Sequence, residues 1–154
     1  LGDVYKRQLC MFAVMNYITE TADILRSMEN IRRHLNKQSL FIFDVWNGLA
    51  VLRTLPSTRV RVIEDEKGRI IRIAEPELDA FNHLCRVNYH ILTMQNKKIV
   101  KEFKETHTIR YYFPQEIIHY LQESDFEVLK ICPYLSSIED KRSLGRPLQN
   151  YLGI

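Results

Sequence analysis

Residues 39–48 read SLFIFDVWNG, and this stretch decides how the rest of the chain is placed. Leu40, Phe41, Ile42 and Phe43 are apolar without alternation, the pattern of a strand covered on both faces, as in a parallel sheet between helices. The run stops at Asp44 and is followed by Val45, Trp46, Asn47 and Gly48. A carboxylate, a large amphipathic ring and an amide thus gather at the carboxyl end of a buried strand. In open α/β sheets that edge is where ligands bind.

Toward the N-terminus, residues 9–18, LCMFAVMNYI, form a second continuous apolar run that ends in the polar or aromatic Asn16 and Tyr17. Between the two runs Ile24, Leu25, Met28, Ile31 and Leu35 recur at helical spacing, with Arg26, Glu29, Arg32 and Arg33 on the other side. Thr19 and Thr21 are N-cap candidates, and Glu20 and Asp23 suit the positive end of a helix. The spacing predicts a helix over 21–35. Strand, helix and strand make a βαβ unit, expected to be parallel. Asn16, Tyr17, Asp44, Trp46 and Asn47 then share one edge.

Toward the C-terminus the period changes. Residues 59–64 and 69–74 are β-rich and flank Asp65-Glu66-Lys67-Gly68, a hairpin turn with glycine supplying positive φ. Phe81, Cys85, Val87, Tyr89 and Ile91 alternate with Asn82, Arg86, Asn88 and His90. Residues 99–112 form another alternating strand with Phe103, Glu105, His107, Ile109 and Tyr111 on one side, so an antiparallel sheet of about four strands is predicted. Pro114 suits the first position of a helix over 114–123, whose stripe is Ile117, Ile118 and Leu121. Residues 126–132, FEVLKIC, read as a further strand. Beyond Pro133 the reading is loop with weak helical content, Gly145, Pro147 and Gly153 arguing against an ordered strand.

The 154 residues, 45% hydrophobic and 27% charged, suit one soluble globular domain with a sizeable core. The 22 basic and 19 acidic residues are interleaved, and no basic tract points to nucleic acid. Cys10, Cys85 and Cys132 lie far apart without a CxxC pair or a nearby histidine, which argues against a metal site and fits a reducing cytoplasm. No apolar run approaches the roughly 18 to 20 residues of a membrane span. No P-loop, GxGxxG or GxSxG pattern is present. The first residue is Leu, and residues 3–8, DVYKRQ, resemble the translation of a transposon-end sequencing adapter. Residues 1–8 are therefore set apart as a cloning or assembly artefact, and the chain reads as a fragment.

Asp44 is the best single candidate for chemistry, because a carboxylate at a buried strand's end must be solvated or paired. It either caps the following turn or meets a ligand. Trp46 is either a packing residue or a pocket wall. Glu105 and His107 share a face, with Arg110 on the other, and a histidine beside a carboxylate can act as a base. The alternative for that pair is a cross-strand polar contact on a half-wet sheet.

Three segments together resemble the C-terminal half of a class I S-adenosylmethionine-dependent methyltransferase of the small-molecule type. Residues 10–18, CMFAVMNYI, look like that family's fourth strand and its loop. Residues 28–47, MENIRRHLNKQSLFIFDVWN, look like its fourth helix and fifth strand, and residues 103–129, FKETHTIRYYFPQEIIHYLQESDFEVL, like its last helix with flanking strands. The resemblance implies a partial Rossmann-like α/β sheet over 9–134, an antiparallel insert over 59–112 and an irregular tail over 135–154. It implies S-adenosyl-L-methionine as cofactor and methyl transfer to a nitrogen or oxygen of a small metabolite. Cys10, Met11, Phe12 and Ala13 are then cofactor neighbours. Tyr17, Asp44 and His107 are implied as catalytic, and Asn16, Trp46, Asn47 and Arg110 as substrate-binding. The insert is similar to a sheet that in some amino-sugar and small-amine N-methyltransferases covers the active site or forms a homodimer interface. The family's first strand, glycine-rich loop and acidic ribose-binding strand end have no counterpart in residues 9–154, which implies that this chain alone binds the cofactor poorly. Two other readings stay open: a non-catalytic ligand-binding or dimerisation module on the same sheet, and a dinucleotide-dependent oxidoreductase fragment, which the antiparallel insert disfavours.

Overall fold

The computed structural model describes residues 5–65, 68–133 and 151–153. The chain divides into two compact units, Leu1–Thr54 with Arg110–Ile154, and Leu55–Ile109.

The first unit opens with β1 (Tyr5–Cys10), α1 (Thr21–Arg33) and β2 (Leu35–Trp46). The two strands pair in parallel, with Leu9 opposite Ile42 and Cys10 opposite Phe43, so the βαβ unit forms as its pattern predicts. β1 starts inside the segment set apart as an artefact. It also ends sooner than its apolar run, because Phe12 and Ala13 adopt left-handed φ values of 66° and 59° and the chain enters a 3-10 turn over Val14–Tyr17. α1 ends at Arg33, before the expected residue 35, and Leu35 already belongs to β2.

A short helix α2 (Gly48–Arg53), which the sequence reading lacked, follows β2. It is capped by Asn47, whose Oδ1 accepts from Leu49 N at 3.1 Å. α3 (Pro114–Glu123) lies where predicted. Met15, Ile24, Met28, Phe43, Val45, Tyr112, Ile117, Tyr120 and Leu121 form the buried core.

Three expectations for this unit are corrected. Residues 126–132 are not a strand: β7 is confined to Cys132–Pro133. The tail does hold a strand, β8 (Tyr151–Gly153), which pairs antiparallel to both β2 and β7, giving the order β1-β2-β8-β7. The rest of the tail lies outside the described residues. Finally, β2 is not covered on both faces. Phe41 stacks on Phe43 at 4.7 Å and tilts against Phe126 at 5.6 Å, whereas Leu40 and Ile42, on the opposite face, each stay 38% exposed.

The second unit contains β3 (Arg59–Asp65), β4 (Gly68–Asp79), β5 (Leu84–Gln95) and β6 (Lys98–Arg110), whose last residue returns to the first unit. They form the expected four-stranded sheet in that order. Antiparallel β4 and β5 pair from Arg69–Met94 to Asp79–Leu84. Gly68 takes φ 145° at the β3–β4 turn, as the hairpin requires, and Asn96 and Lys97 turn the chain between β5 and β6 with φ 49° and 62°. Cys85, Val87 and Ile109 are buried, while Phe81 lies in the turn before β5 and is exposed. Among the described residues no helix is long and apolar enough to cross a membrane.

Candidate functional site

The carboxyl ends of β1 and β2 meet at one edge of the first unit. Asp44 is fully buried there, and its Oδ1 accepts from Ala13 N at 3.0 Å. That bond anchors the second of two consecutive left-handed residues, a conformation that costs on the order of 1 kcal/mol or more per non-glycine residue. Asp44 Oδ2 is also buried and has no hydrogen-bond partner among the described residues. The neighbouring Cys10 thiol is pushed up chiefly by burial, and the Asp44 charge adds to it.

Asn16, fully buried, holds the following 3-10 turn from a second direction. Its Oδ1 accepts from Trp46 N at 3.3 Å, and its Nδ2 donates to the Arg110 carbonyl. One amide therefore joins the ends of β2 and β6. Tyr112 supplies a third anchor, its hydroxyl donating to the carbonyls of Ile18 at 2.8 Å and Met15 at 3.2 Å. Burial pushes that phenol's pKa up, so it stays a donor.

Residues 46–48 are tied to the same strand end. Tyr112 N donates to Trp46 O at 2.9 Å and Gly48 N to Tyr112 O at 2.8 Å. A Cβ on Gly48 would come within 3.0 Å of the Tyr111 and Phe113 rings, so glycine permits this close approach. With Ala13, Met15 and Asn16 turned inward, the loop leaves Phe12 80% and Tyr17 55% exposed. A rigid edge thus presents two aromatic rings.

The structure brings Cys10, Met11, Phe12, Ala13, Asn16, Tyr17, Asp44, Trp46 and Asn47 to this edge. Their side chains fall into two groups. Phe12 and Tyr17 are offered to solvent, and Trp46 is half-buried. The polar atoms of Asn16 and Asn47, and Oδ1 of Asp44, are committed to backbone groups.

Arg110 lies in an internal knot of the same unit. It donates to Thr19 O at 2.8 Å, Thr21 Oγ1 at 3.1 Å and Tyr120 Oη at 3.2 Å, pairs with the Glu116 carboxylate, and stacks over the Tyr112 ring. Burial works against its charge, and Glu116 outweighs that, so its pKa shifts upward. His107 belongs to the second unit, with Nε2 3.2 Å from Glu105 Oε1 and its ring edge-on to Tyr89 at 5.3 Å. Among the described residues no cluster of His, Cys, Asp or Glu could hold a metal ion.

Sequence reasoning missed Glu116, Tyr112 and Tyr120 as organisers of the edge. The signal was present for Glu116: an acid in the first turn after Phe113-Pro114, whose Oε2 accepts from Phe113 N at 3.3 Å, is half of a capping box.

No sequence-family profile and no curated protein sequence matches this chain. Solved structures do match. An S-adenosylmethionine-dependent methyltransferase from Clostridium acetobutylicum superposes with TM-score 0.74 at 17% identity, over 99% of this chain and 58% of that one. The sugar N-methyltransferase KedS8 from Streptoalloteichus gives TM-score 0.74 at 16% identity, over 99% of this chain and 56% of that one. CalS10, an amino pentose methyltransferase from Micromonospora echinaspora, gives 0.74 at 12%, over 99% and 58%. At such identities the likeness establishes the fold. The chain has the fold of part of a class I methyltransferase and spans a little more than half the length of these proteins.

Proposed function

Starting from that fold, we propose that this chain is the C-terminal part of an enzyme that transfers a methyl group from S-adenosyl-L-methionine to a nitrogen or oxygen of a small metabolite. We propose further that residues 9–154 alone do not complete the cofactor site. The observation that carries the reading is the stapled turn over residues 11–17. Two left-handed non-glycine residues persist only where their surroundings over-determine them, and such places cluster at functional sites. Here the turn lies at the carboxyl edge of a parallel strand pair.

In this reading Cys10, Met11, Phe12 and Ala13 flank the cofactor, and Tyr17 and Trp46 face the acceptor. Asn16, Asn47 and Arg110 act as positioning residues on the substrate side, since their polar groups hold backbone and neighbouring side chains. Asp44 acts in the same way through Ala13, and its Oδ2, which has no hydrogen-bond partner among the described residues, lies under the loop. His107, with Glu105 beside it, is the candidate base for an acceptor that must lose a proton.

The residues present fit the methyl-donor end of such a cofactor: aromatic faces and a buried carboxylate favour a nearby cation. When bound, S-adenosylmethionine supplies an electrophilic methyl on its sulfonium. The chain's own contribution is to fix the edge, so that an acceptor held by Tyr17 and Trp46 reaches in-line, near-attack geometry.

The test uses Tyr17→Phe and Asp44→Ala in the longer protein. Lower turnover in both is expected, and wild-type rates in both would remove these residues from the site. Calorimetric titration of the 154-residue chain with S-adenosylhomocysteine is expected to give no micromolar binding; micromolar affinity would sink the claim that the cofactor site is incomplete.

A second reading rests on the other unit. Val60, Val62 and Ile63 on edge strand β3 are exposed, and an apolar edge is a pairing surface. Under it the insert is a homodimer contact or a ligand-binding module. Light scattering across a dilution series, with Val62→Lys as the disrupting variant, separates a dimer from a monomer. The three free thiols support a cytoplasmic protein under either reading.

A further inference from the structure

The second unit separates its charges by sheet face. Side chains alternate along a strand, so the register assigns the residues of β3, β4 and β5 to one side or the other. One side carries Glu64 with Arg69, Glu77 with Arg86, and Glu102 with His90 and Lys104. Each basic group there lies within 3.4 Å of a carboxylate oxygen. The other side carries Arg59, Arg61 and Arg72, and none of the three has a carboxylate partner among the described residues.

These three arginines are neighbours. Arg61 and Arg72 stand directly opposite each other on adjacent strands, and Arg59 precedes Arg61 by two positions on the same face. Directly opposed residues hold their Cβ atoms about 4.5–5.5 Å apart, and positions two apart along a strand lie about 6.5 Å apart. Like charges so placed repel, yet all three side chains are exposed on one face with nothing of opposite sign between them.

The surroundings give the cluster a shape. Arg59, Ala74 and Tyr89 are in register across three strands, and Arg61, Arg72 and Ile91 form the next row. Ala74 projects least of these, so its methyl floors a recess bordered by Arg59, Arg72 and Tyr89, with Arg61 on the diagonal. The Arg72 guanidinium lies 5.5 Å over the Tyr89 ring, Tyr89 is edge-on to His107 at 5.3 Å, and His107 Nε2 is 3.2 Å from Glu105 Oε1. That train of contacts holds Arg72 over the sheet and leaves its charge in place.

We propose that Arg59, Arg61 and Arg72 form a binding site for a phosphate group, free or borne by a small molecule, seated over Ala74. Phosphate fits better than carboxylate because its tetrahedral oxygens accept guanidinium forks from several directions, whereas one fork saturates a planar carboxylate. A doubly charged group also offsets more of three cations than a single charge does. The ligand is small because the basic row stops at these residues. On this face β4 continues with Ile70 and Leu78 and β5 with Cys85 and Val87, which gives a nucleic-acid backbone no track to follow. The site uses none of the residues of the β1–β2 edge and holds whether or not the methyl-transfer reading does.

The test is calorimetric titration of the 154-residue chain at low salt. Inorganic phosphate is expected to bind with a Kd of about 1 mM or tighter, and acetate about 10-fold or more weakly than phosphate. Arg61→Gln and Arg72→Gln are each expected to weaken phosphate by about 10-fold, while Arg69→Gln, on the opposite face, leaves it unchanged. Because Arg61→Gln removes a like-charged neighbour, its urea midpoint without phosphate should be no lower than the parent's, which separates lost binding from lost folding. Glycerol phosphate distinguishes the sources: tighter binding than inorganic phosphate assigns the site to a phosphorylated metabolite, weaker binding to the free ion. No phosphate binding, equal affinity for acetate, or full affinity in both Arg61→Gln and Arg72→Gln overturns the proposal. So does a single-stranded oligonucleotide that outcompetes phosphate with the steep salt dependence of many contacts.

Discussion

Glu116→Ala should be among the most damaging single changes in the first unit, although Glu116 lies outside the edge it supports. Its Oε1 takes the Arg110 guanidinium and the Tyr120 hydroxyl, the latter at 3.0 Å, and its Oε2 takes Phe113 N at 3.3 Å. The ion pair is largely removed from water, with side chains 11% and 17% exposed. Arg110 Nε already lacks a partner among the described residues, so the guanidinium has little in reserve. Breaking a buried pair from one side costs about 3–5 kcal/mol, and partial exposure puts this case near about 3. Loss of the acceptor at the start of α3 adds about 1 kcal/mol.

A total of about 3–4 kcal/mol corresponds to a Tm lowered by roughly 10 °C for a chain of this length. The single tryptophan, Trp46, gives the assay, because its backbone is bonded to both Asn16 and Tyr112 and its fluorescence follows the edge during urea unfolding. Glu116→Gln, which keeps an acceptor oxygen, should lose about half as much. Replacing both partners, Arg110→Met with Glu116→Leu, should cost less than Glu116→Ala alone, since no charge is then stranded. A shift under about 1 kcal/mol for Glu116→Ala, or a double replacement as damaging as the summed single changes, would refute this account of the knot.

Three further outcomes are expected. Asp44→Ala strands the buried Ala13 amide and should cost about 1–3 kcal/mol, with Ala13 exchanging faster with solvent deuterium, while Asp44→Asn keeps an acceptor and should lose less; equal loss in the two would detach the effect from that bond. Gly68→Ala places a Cβ 2.3 Å from the Met94 carbonyl oxygen at φ 145°, so chemical unfolding should register a loss of at least about 2 kcal/mol, and an unchanged midpoint would disprove the turn geometry. Stability should fall as pH rises above about 9. The Cys10 and Cys85 thiols are raised by burial from 9.0 and the Tyr112 phenol from 10.0, so the unfolded chain releases these protons first and alkali favours it. Urea midpoints that stay flat between pH 8 and pH 10.5 would contradict it.

Periodicity carried most of the fold. The parallel pair, the helix between its strands, the four-stranded antiparallel sheet and α3 were all legible because each buries a stripe or face that repeats at its own period. Pattern failed where long-range pairing decided the outcome. FEVLKIC has the composition of a strand, yet a segment becomes one only when a neighbour takes its backbone groups, and residues 126–131 pair with no strand among the described residues. Conversely, Tyr151–Gly153 has poor local credentials and is a strand because β2 and β7 flank it. The second apolar face of β2 was read as covered, and Leu40 and Ile42 are not. A continuous apolar run therefore marks a strand without fixing that both of its faces are covered.

The edge itself was legible as a position but not as a mechanism. A continuous apolar run ending in Asp44 is enough to mark the carboxyl end of a strand, and the same holds for Asn16 and Tyr17 after the first run. What no spacing reveals is that Phe12 and Ala13 reverse the chain in a left-handed conformation, because neither residue type advertises positive φ. That reversal sorts the loop, sending Ala13, Met15 and Asn16 inward and Phe12 and Tyr17 outward. It also explains why Asp44, Asn16 and Tyr112 are needed together. Each removes one route by which the strained turn could relax into an extension of β1, in which Phe12 would fall on the core-facing side of Cys10 and no longer be offered at the edge. The carboxylate that the sequence nominates as a reactive group is, on this argument, first of all the reason the aromatic residues face outward. Any role it has toward a methyl acceptor is exercised through the turn it holds.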